Sequence, residues 1–237
     1  MTRLIPVGDQ LFTASEVLST LSPFLSAARA LRIREAVQQR ITQVSPVLEG
    51  LFDRGNASAV MRSAEGLGYQ HVHIIDTSEN FKESNRVTQG AEKWLDVHVW
   101  PDTRECLGTL KQSGCKVYVT HLKRARDLRD IAFDGPALLV FGNEKEGVSE
   151  TALEFADERV QLPMWGFSQS FNISVAAALC LFHIREERLR RLGVAGDVPS
   201  AEQLRFEAEF YLRAVEHAEA ILLRARGRKP ATHEAGA

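Results

Sequence analysis

The sequence predicts an α/β protein: a mostly parallel sheet with helices on both faces, and helical extensions at both termini. Three observations carry the prediction. Short apolar segments of strand length alternate with longer helical ones through the middle of the chain. Ala137 to Phe141 is apolar without interruption, as a strand covered on both faces should be. Finally, Thr120, Gly142 and Leu162 each stand at the carboxyl end of a predicted strand, the place where parallel sheets gather their ligands.

From Ala14 to about Arg40 the spacing is helical, with Leu25, Ala28, Leu31, Ile33, Ala36 and Val37 loosely periodic and Pro23 dividing a short helix from a longer one. Val47 to Leu51 is the first strand of the central part, and Phe52 to Asn56 its loop. Asn56 is placed to cap a helix that runs to about Leu67, stopped by Gly66 and Gly68. Ala57, Val60, Met61 and Ala64 form its buried stripe, while Ser58, Arg62 and Glu65 fall on the other side. Arg62 is then either a surface partner of Glu65, worth ~0.3 kcal/mol, or a guanidinium facing an anion.

His71 to Ile75 alternates as a strand with His71 and His73 on its solvent side. A polar loop from Thr77 to Arg86 and a short segment from Gln89 to Trp94 follow. Val97 to Val99 is a brief strand, Thr103 to Gln112 a helix ended by Gly114, and Lys116 to Val119 another strand. Ala137 to Phe141 stops at Gly142-Asn143-Glu144-Lys145-Glu146-Gly147. That loop lacks the Lys-Ser/Thr pair of a P-loop, and no dinucleotide fingerprint follows the first strand. Ser149 caps a helix to about Ala156, and Arg159 to Leu162 is the last strand.

The chain is organised around the stretch from Leu162 to Ala176. Pro163 and Gly166 interrupt regular structure, and Ser170 or Asn172 caps an apolar helix. Ile173, Ala176, Ala177, Cys180, Leu181 and Ile184 give that helix one apolar face. Val175, Leu179 and Phe182 make the remaining face apolar too, so most of it is expected to be buried. This stretch alone leaves open whether Ser170 and Asn172 only cap the helix or also line a site. A linker from Gly193 to Pro199 leads to a capping box, Ser200 to Gln203, and a last helix with Leu204, Ala208, Tyr211, Val215, Ala218 and Leu222 as its apolar face. The expected organisation is an extension over 1–43, a central domain over 44–192 and a second extension over 193–237.

At 237 residues, 44% hydrophobic and 25% charged, the composition is that of a soluble globular protein. No apolar run reaches membrane-spanning length and the start lacks a signal-peptide pattern, so the cytoplasm is the expected compartment, with no membrane partner. Cys106, Cys115 and Cys180 are scattered, without disulfide or zinc spacing, and no metal is expected. The net charge of −2 does not announce a nucleic-acid binder. Three basic clusters nevertheless stand out: Arg29, Arg32, Arg34 and Arg40; Lys123, Arg124, Arg126 and Arg129; and Arg224, Arg226, Arg228 and Lys229. Each is either a solvated face or a track for a phosphate backbone.

Three ordered motifs resemble one family. They are Asn56-Ala57-Ser58-Ala59-Val60-Met61-Arg62-Ser63-Ala64; Phe141-Gly142-Asn143-Glu144-Lys145-Glu146-Gly147-Val148-Ser149; and Leu162-Pro163-Met164 with Ser170-Phe171-Asn172-Ile173-Ser174-Val175-Ala176. Together they resemble the SPOUT-class RNA ribose 2′-O-methyltransferases that use S-adenosylmethionine. Gly90 to Trp94 and the two helical extensions look most like the tRNA guanosine-18 (TrmH-type) branch. The resemblance implies a C-terminal trefoil knot and a homodimer whose interface carries the active site. It implies a cofactor held around Thr120, Gly142, Leu162, Met164 and Phe171, the last standing where relatives usually have Leu. It also implies a catalytic set of Arg62, Asn56, Glu144, Ser170 and Asn172 acting on tRNA. The family picture makes Arg62 the base. A guanidinium is almost never deprotonated, however, so a role clamping phosphate and orienting the hydroxyl suits it better, and the base stays open. Aligning a ribose hydroxyl with a sulfonium methyl supplies up to ~7–11 kcal/mol in ideal cases, so positioning outweighs acid strength. The same motifs are compatible with methylation of ribosomal RNA. A catalytically idle RNA-binding module is disfavoured, since binding alone does not require Asn56, Arg62, Glu144 and Asn172 together.

Overall fold

The computed structural model describes residues 4–50, 53–76, 90, 92–143 and 145–227. Several sequence expectations fall outside the described residues: Leu51 and Phe52, the polar loop from Thr77 to Arg86, Gln89, Ala91, Glu144, and the basic tail with Arg228 and Lys229. The chain divides into two compact units, one of residues 40–197 and one joining 1–39 to 198–237, so the two terminal segments share one unit.

In the terminal unit, β1 (Ile5–Val7) and β2 (Gln10–Phe12) form an antiparallel hairpin. Strands of three residues are too short for alternation to reveal them. Then come α1 (Ala14–Leu21), a 3-10 turn holding Pro23, and α2 (Ala27–Gln38), the division that Pro23 predicts. The capping box lies at α1, where the Thr13 hydroxyl accepts from the Glu16 N–H and the Glu16 carboxylate accepts from the Thr13 N–H. None forms at Ser200: the last helix starts after Pro199 without a side-chain cap, and Glu202 pairs with Arg205 at 2.6 Å. That helix is also broken, into α7 (Ser200–Ala214) and α8 (Ala218–Ala225), with His217 left-handed at the break. Ala208, Tyr211, Val215, Ala218 and Leu222 are buried as the spacing predicts, but Leu204 is exposed.

The larger unit runs β3 (Val44–Glu49), α3 (Arg54–Gly66), β4 (His71–Ile75), β5 (Asp96–Trp100), α4 (Thr103–Gln112), β6 (Lys116–Thr120), β7 (Arg126–Asp127), β8 (Ala137–Phe141), α5 (Glu150–Phe155), β9 (Glu158–Gln161) and α6 (Ile173–Leu192). Its seven strands lie in the order β5-β4-β3-β8-β6-β9-β7 and every pairing is parallel. Pro46 shows why β3 starts earlier than expected. Pairing to β8 begins at Val44, whereas pairing to β4 begins only at Val47, past the residue that cannot donate to a ladder.

Helices cover both faces. Ala57, Val60, Met61 and Ala64 of α3 and Ile173, Ala177, Cys180, Leu181 and Ile184 of α6 pack on one core. Cys106 and Leu107 of α4 and Ala152 of α5 pack on the other. Two burial expectations are corrected. Val175, Leu179 and Phe182 of α6 are 43–54% exposed, because only one side of that helix meets the sheet within this chain. His73, expected on a solvent face, is buried, because β4 is flanked by β3 and β5 and covered on both sides. Trp100 Nε1 donates to His73 Nδ1 at 3.1 Å, and the ring stacks on His98 at 4.9 Å.

α6 runs through the charged segment to Gly193, whose left-handed φ of 68° closes it. Inside that segment Arg188 is buried, donating to Asp197 at 2.8 Å and to the Phe133 carbonyl. Asp197 in turn accepts from the Thr42 N–H at 2.6 Å, fastening the end of the unit to its start.

Candidate active site at the carboxyl end of the sheet

The strand order creates the site. The chain moves outward from β3 through β4 to β5, then resumes at β6 on the other side, and β8 later fills the gap beside β3. The loops after β3 and β8 therefore leave neighbouring strands at the point where the winding reverses, with those after β6 and β9 alongside. Thr120, Gly142 and Leu162 end or follow β6, β8 and β9, as predicted, and the Thr120 hydroxyl donates to the Val140 carbonyl at 2.9 Å.

The loop after β8 is built tightly. The Asn143 N–H donates to the Gly147 carbonyl at 2.9 Å and the Gly147 N–H returns to Asn143 at 3.0 Å. Asn143 Oδ1 accepts from the N–H groups of Lys145 and Glu146, both at 2.8 Å. A Cβ at Gly142 would fall 2.1 Å from the Gly147 carbonyl carbon and 2.2 Å from the Val148 nitrogen, so only glycine permits this closure. Glu144, a sequence-predicted site residue, lies outside the described residues.

Sequence reasoning missed Glu49. This buried carboxylate, last residue of β3, accepts from the Ser149 N–H at 2.9 Å, the Ser149 hydroxyl at 2.6 Å and the Thr103 hydroxyl. It thereby ties the end of the β8 loop and the start of α4 to the central strand. The available signal was an acidic residue closing a central strand that is apolar apart from Ser45, and such a group requires partners when buried.

The first and third motifs meet at two asparagines. Asp53, not Asn56, caps α3, its carboxylate accepting from the Gly55 N–H at 2.7 Å. Asn56 instead lies in the first turn, where its Oδ1 accepts from Asn172 Nδ2 at 3.2 Å. Asn172 resolves the choice left open with Ser170. It is the N-cap of α6, its Oδ1 accepting from the N–H of Ser174 at 2.9 Å and from its hydroxyl at 2.6 Å. Asn172 thus caps one helix and reaches the other at once.

Arg62 is exposed and makes no hydrogen bond or ion pair with the described residues. The surface pair with Glu65 does not form, because Glu65 binds the buried Arg40 at 3.0 Å. Arg40 also donates to the Tyr69 carbonyl at 2.9 Å, which removes it from the basic cluster expected near the start. Arg62 stands six residues beyond Asn56, about 9 Å along the axis of α3.

From Pro163 to Phe171 the described backbone makes no hydrogen bond to other described residues. Its peptide groups are available beside the half-buried Leu162 and Met164, while Ser170 and Phe171 are exposed. Free backbone donors and acceptors next to apolar side chains suit a flat heterocycle carrying its own polar edge. Among the described residues no cluster of His, Cys, Asp or Glu is arranged to hold a metal, and no helix is long and apolar enough to cross a membrane.

These features define a ligand-binding α/β protein, with its site at the reversal of a parallel sheet and no nucleotide-binding glycine fingerprint. The chain belongs to the SpoU rRNA methylase family, whose profile matches residues 43–182. It is 37% identical over 164 residues to the tRNA (guanosine(18)-2′-O)-methyltransferase of Thermus thermophilus, covering 69% of this chain and 84% of that one. The crystal structure of the A. aeolicus TrmH/SpoU tRNA modifying enzyme superposes with a TM-score of 0.70 at 26% identity, over 80% of this chain and 98% of that one. The fold is shared with the SpoU methyltransferase AviRb of Streptomyces viridochromogenes, crystallised with AdoMet (TM-score 0.58, 23% identity, 65% of this chain and 61% of that one).

Proposed function

We propose that the protein methylates the ribose 2′-hydroxyl of guanosine 18 in the D-loop of tRNA, with S-adenosylmethionine as donor. Identity of 37% to the Thermus thermophilus enzyme of that name, together with a family profile that spans all three site motifs, carries the proposal. Bound cofactor supplies an electrophilic methyl group. Thr120, Gly142, Leu162, Met164 and Phe171 hold its adenosyl part, a role that the backbone of 163–171, unpaired among the described residues, and the closed loop at Gly142 support. Asn56 and Asn172 form a polar pair that, with Ser170 and Glu144, orients the target ribose. Arg62, a cation with no described partner, clamps a substrate phosphate and turns the hydroxyl toward the methyl group.

The enzyme acts as a homodimer. The exposed stripe of Val175, Leu179, Phe182 and Leu189 on α6 supports this, and the second copy covers it. Joining two chains also explains how Arg62, six residues along α3 from the Asn56–Asn172 contact, serves a complete site. We read the late insertion of β9 between β6 and β7 as part of a trefoil knot in the C-terminal half of the domain. Residues 44–192 are the methyltransferase domain, and the segments 1–43 and 193–237 grip folded tRNA in the cytoplasm. Incubating the protein with labelled S-adenosylmethionine and separated tRNA and ribosomal RNA, then mapping the modified ribose, tests the proposal. Label at guanosine 18 of tRNA is expected; label confined to ribosomal RNA assigns the other substrate, and no label in either removes the activity.

A further inference from the structure

Two of the most exposed large apolar side chains among the described residues lie on the loop that leads to Ser170 and Asn172. Trp165 is 84% exposed and Phe167 fully so, separated only by Gly166. Aromatic rings of this size are ordinarily buried, and two of them so close together in water mark a surface that something else covers. Trp165 has a cation beside it: the Arg129 guanidinium lies 5.8 Å from its ring centroid. Arg129 is itself fixed, its Nε and Nη2 donating to the Asp127 carboxylate at 2.6–3.0 Å. Because β7 and β9 are parallel and Asp127 pairs with Gln161, Arg129 and Trp165 both sit just past the carboxyl ends of their strands, on the site's side of the sheet.

We propose that Trp165 and Phe167 form a stacking platform for a nucleobase flanking the target nucleoside. The inference rests on the RNA-methylating function above and adds the residues that seat its substrate. One ring face of Trp165 meets a cation, and its exposure leaves surface for a base. Sequence-specific recognition of folded RNA relies on unstacked loop bases laid on aromatic and guanidinium planes. The neighbouring loop after β6 adds Lys123 and Arg124, both exposed, as counter-charges for the phosphates on either side of such a base. An aliphatic partner surface would need no cations there, which separates this patch from the apolar stripe on α6.

The test uses the full chain with Trp165→Ala, Trp165→Phe and Phe167→Ala. Stacking on an aromatic side chain predicts a rise in KM for tRNA of about 5- to 150-fold in Trp165→Ala, with KM for S-adenosylmethionine and the melting temperature unchanged. Trp165→Phe should recover most of the loss. Tryptophan fluorescence should be quenched on titration with tRNA in the wild type and much less in Trp165→Phe, which retains Trp94 and Trp100. An unchanged KM in Trp165→Ala overturns the platform. So does a KM change accompanied by loss of the dimer in sedimentation, which reassigns the patch to contact between two copies of the chain. If the wild type methylates no RNA, the activity itself falls, and the fluorescence titration still decides the platform: equal quenching in wild type and Trp165→Phe overturns it.

Discussion

Replacing Glu49 by Gln tests whether the central strand holds the site loop in place. The carboxylate accepts three hydrogen bonds, two from Ser149 and one from Thr103. An amide of the same shape keeps one acceptor for the Ser149 N–H, but turns donors toward the two hydroxyls and carries no charge. Hydrogen bonds to a charged group contribute about 1.5–3 kcal/mol, roughly twice the neutral value. Losing that margin over three bonds, offset by easier burial of an uncharged side chain, leaves a cost of about 2 kcal/mol. For a unit of this size that lowers the melting temperature by about 4–8 °C. If the loss falls on the loop after β8, cofactor affinity drops by up to about 30-fold, since the loop must be re-ordered on binding. Circular dichroism melting and calorimetric titration with S-adenosylmethionine measure both. Ser149→Ala combined with Glu49→Gln should be clearly non-additive, because the two residues share the same bonds. A melting temperature within 1 °C of wild type together with unchanged cofactor affinity refutes the claim that Glu49 tethers the loop.

Three further outcomes are expected. Arg62→Ala should leave cofactor binding nearly unchanged and abolish methyl transfer, the pattern of an interaction made during reaction, and single-turnover assays with tRNA read it directly. Gly142→Ala should lose cofactor binding in calorimetry, because its methyl group meets the Gly147–Val148 peptide at 2.1–2.2 Å and backbone cannot step aside cheaply. Burial, then the neighbouring His98 and His71, holds the pKa of His73 down to about 3 from its ordinary 6.5. The unfolded chain therefore takes up a proton below pH 6.5 that the folded one refuses, so this contribution to stability is present above pH 6.5 and is lost as pH falls toward 3. Denaturant titrations of wild type and His73→Leu between pH 7 and 4 should show the smaller pH slope in the variant.

What was legible in the sequence follows from the range of the forces involved. The buried stripe of α3 and the uninterrupted apolar run of β8 are local patterns set by one sheet, and both appear where the periodicity puts them. Asn56 failed as a cap for the opposite reason. Asp53, three residues earlier, starts the helix and caps it through the Gly55 N–H, and nothing local indicates that Asn56 is reserved for a residue 116 positions away. Glu49 was overlooked on the same grounds, its partners lying 54 and 100 positions off. The exposed half of α6 marks a third kind of failure. Val175, Leu179 and Phe182 read as core because hydrophobicity reports that a face is to be covered, not which chain covers it. The same limit governs Arg62, whose obvious neighbour Glu65 is claimed by Arg40. A cation left without a described partner, on a helix whose first turn already touches the start of α6, is what the proposed site, completed by a second chain and a phosphate, would require. Sedimentation of a Phe182→Glu variant checks this step: a charge in the apolar stripe should yield monomers that bind cofactor yet transfer no methyl group, and a dimer that persists with full activity would separate α6 from the assembly of the site.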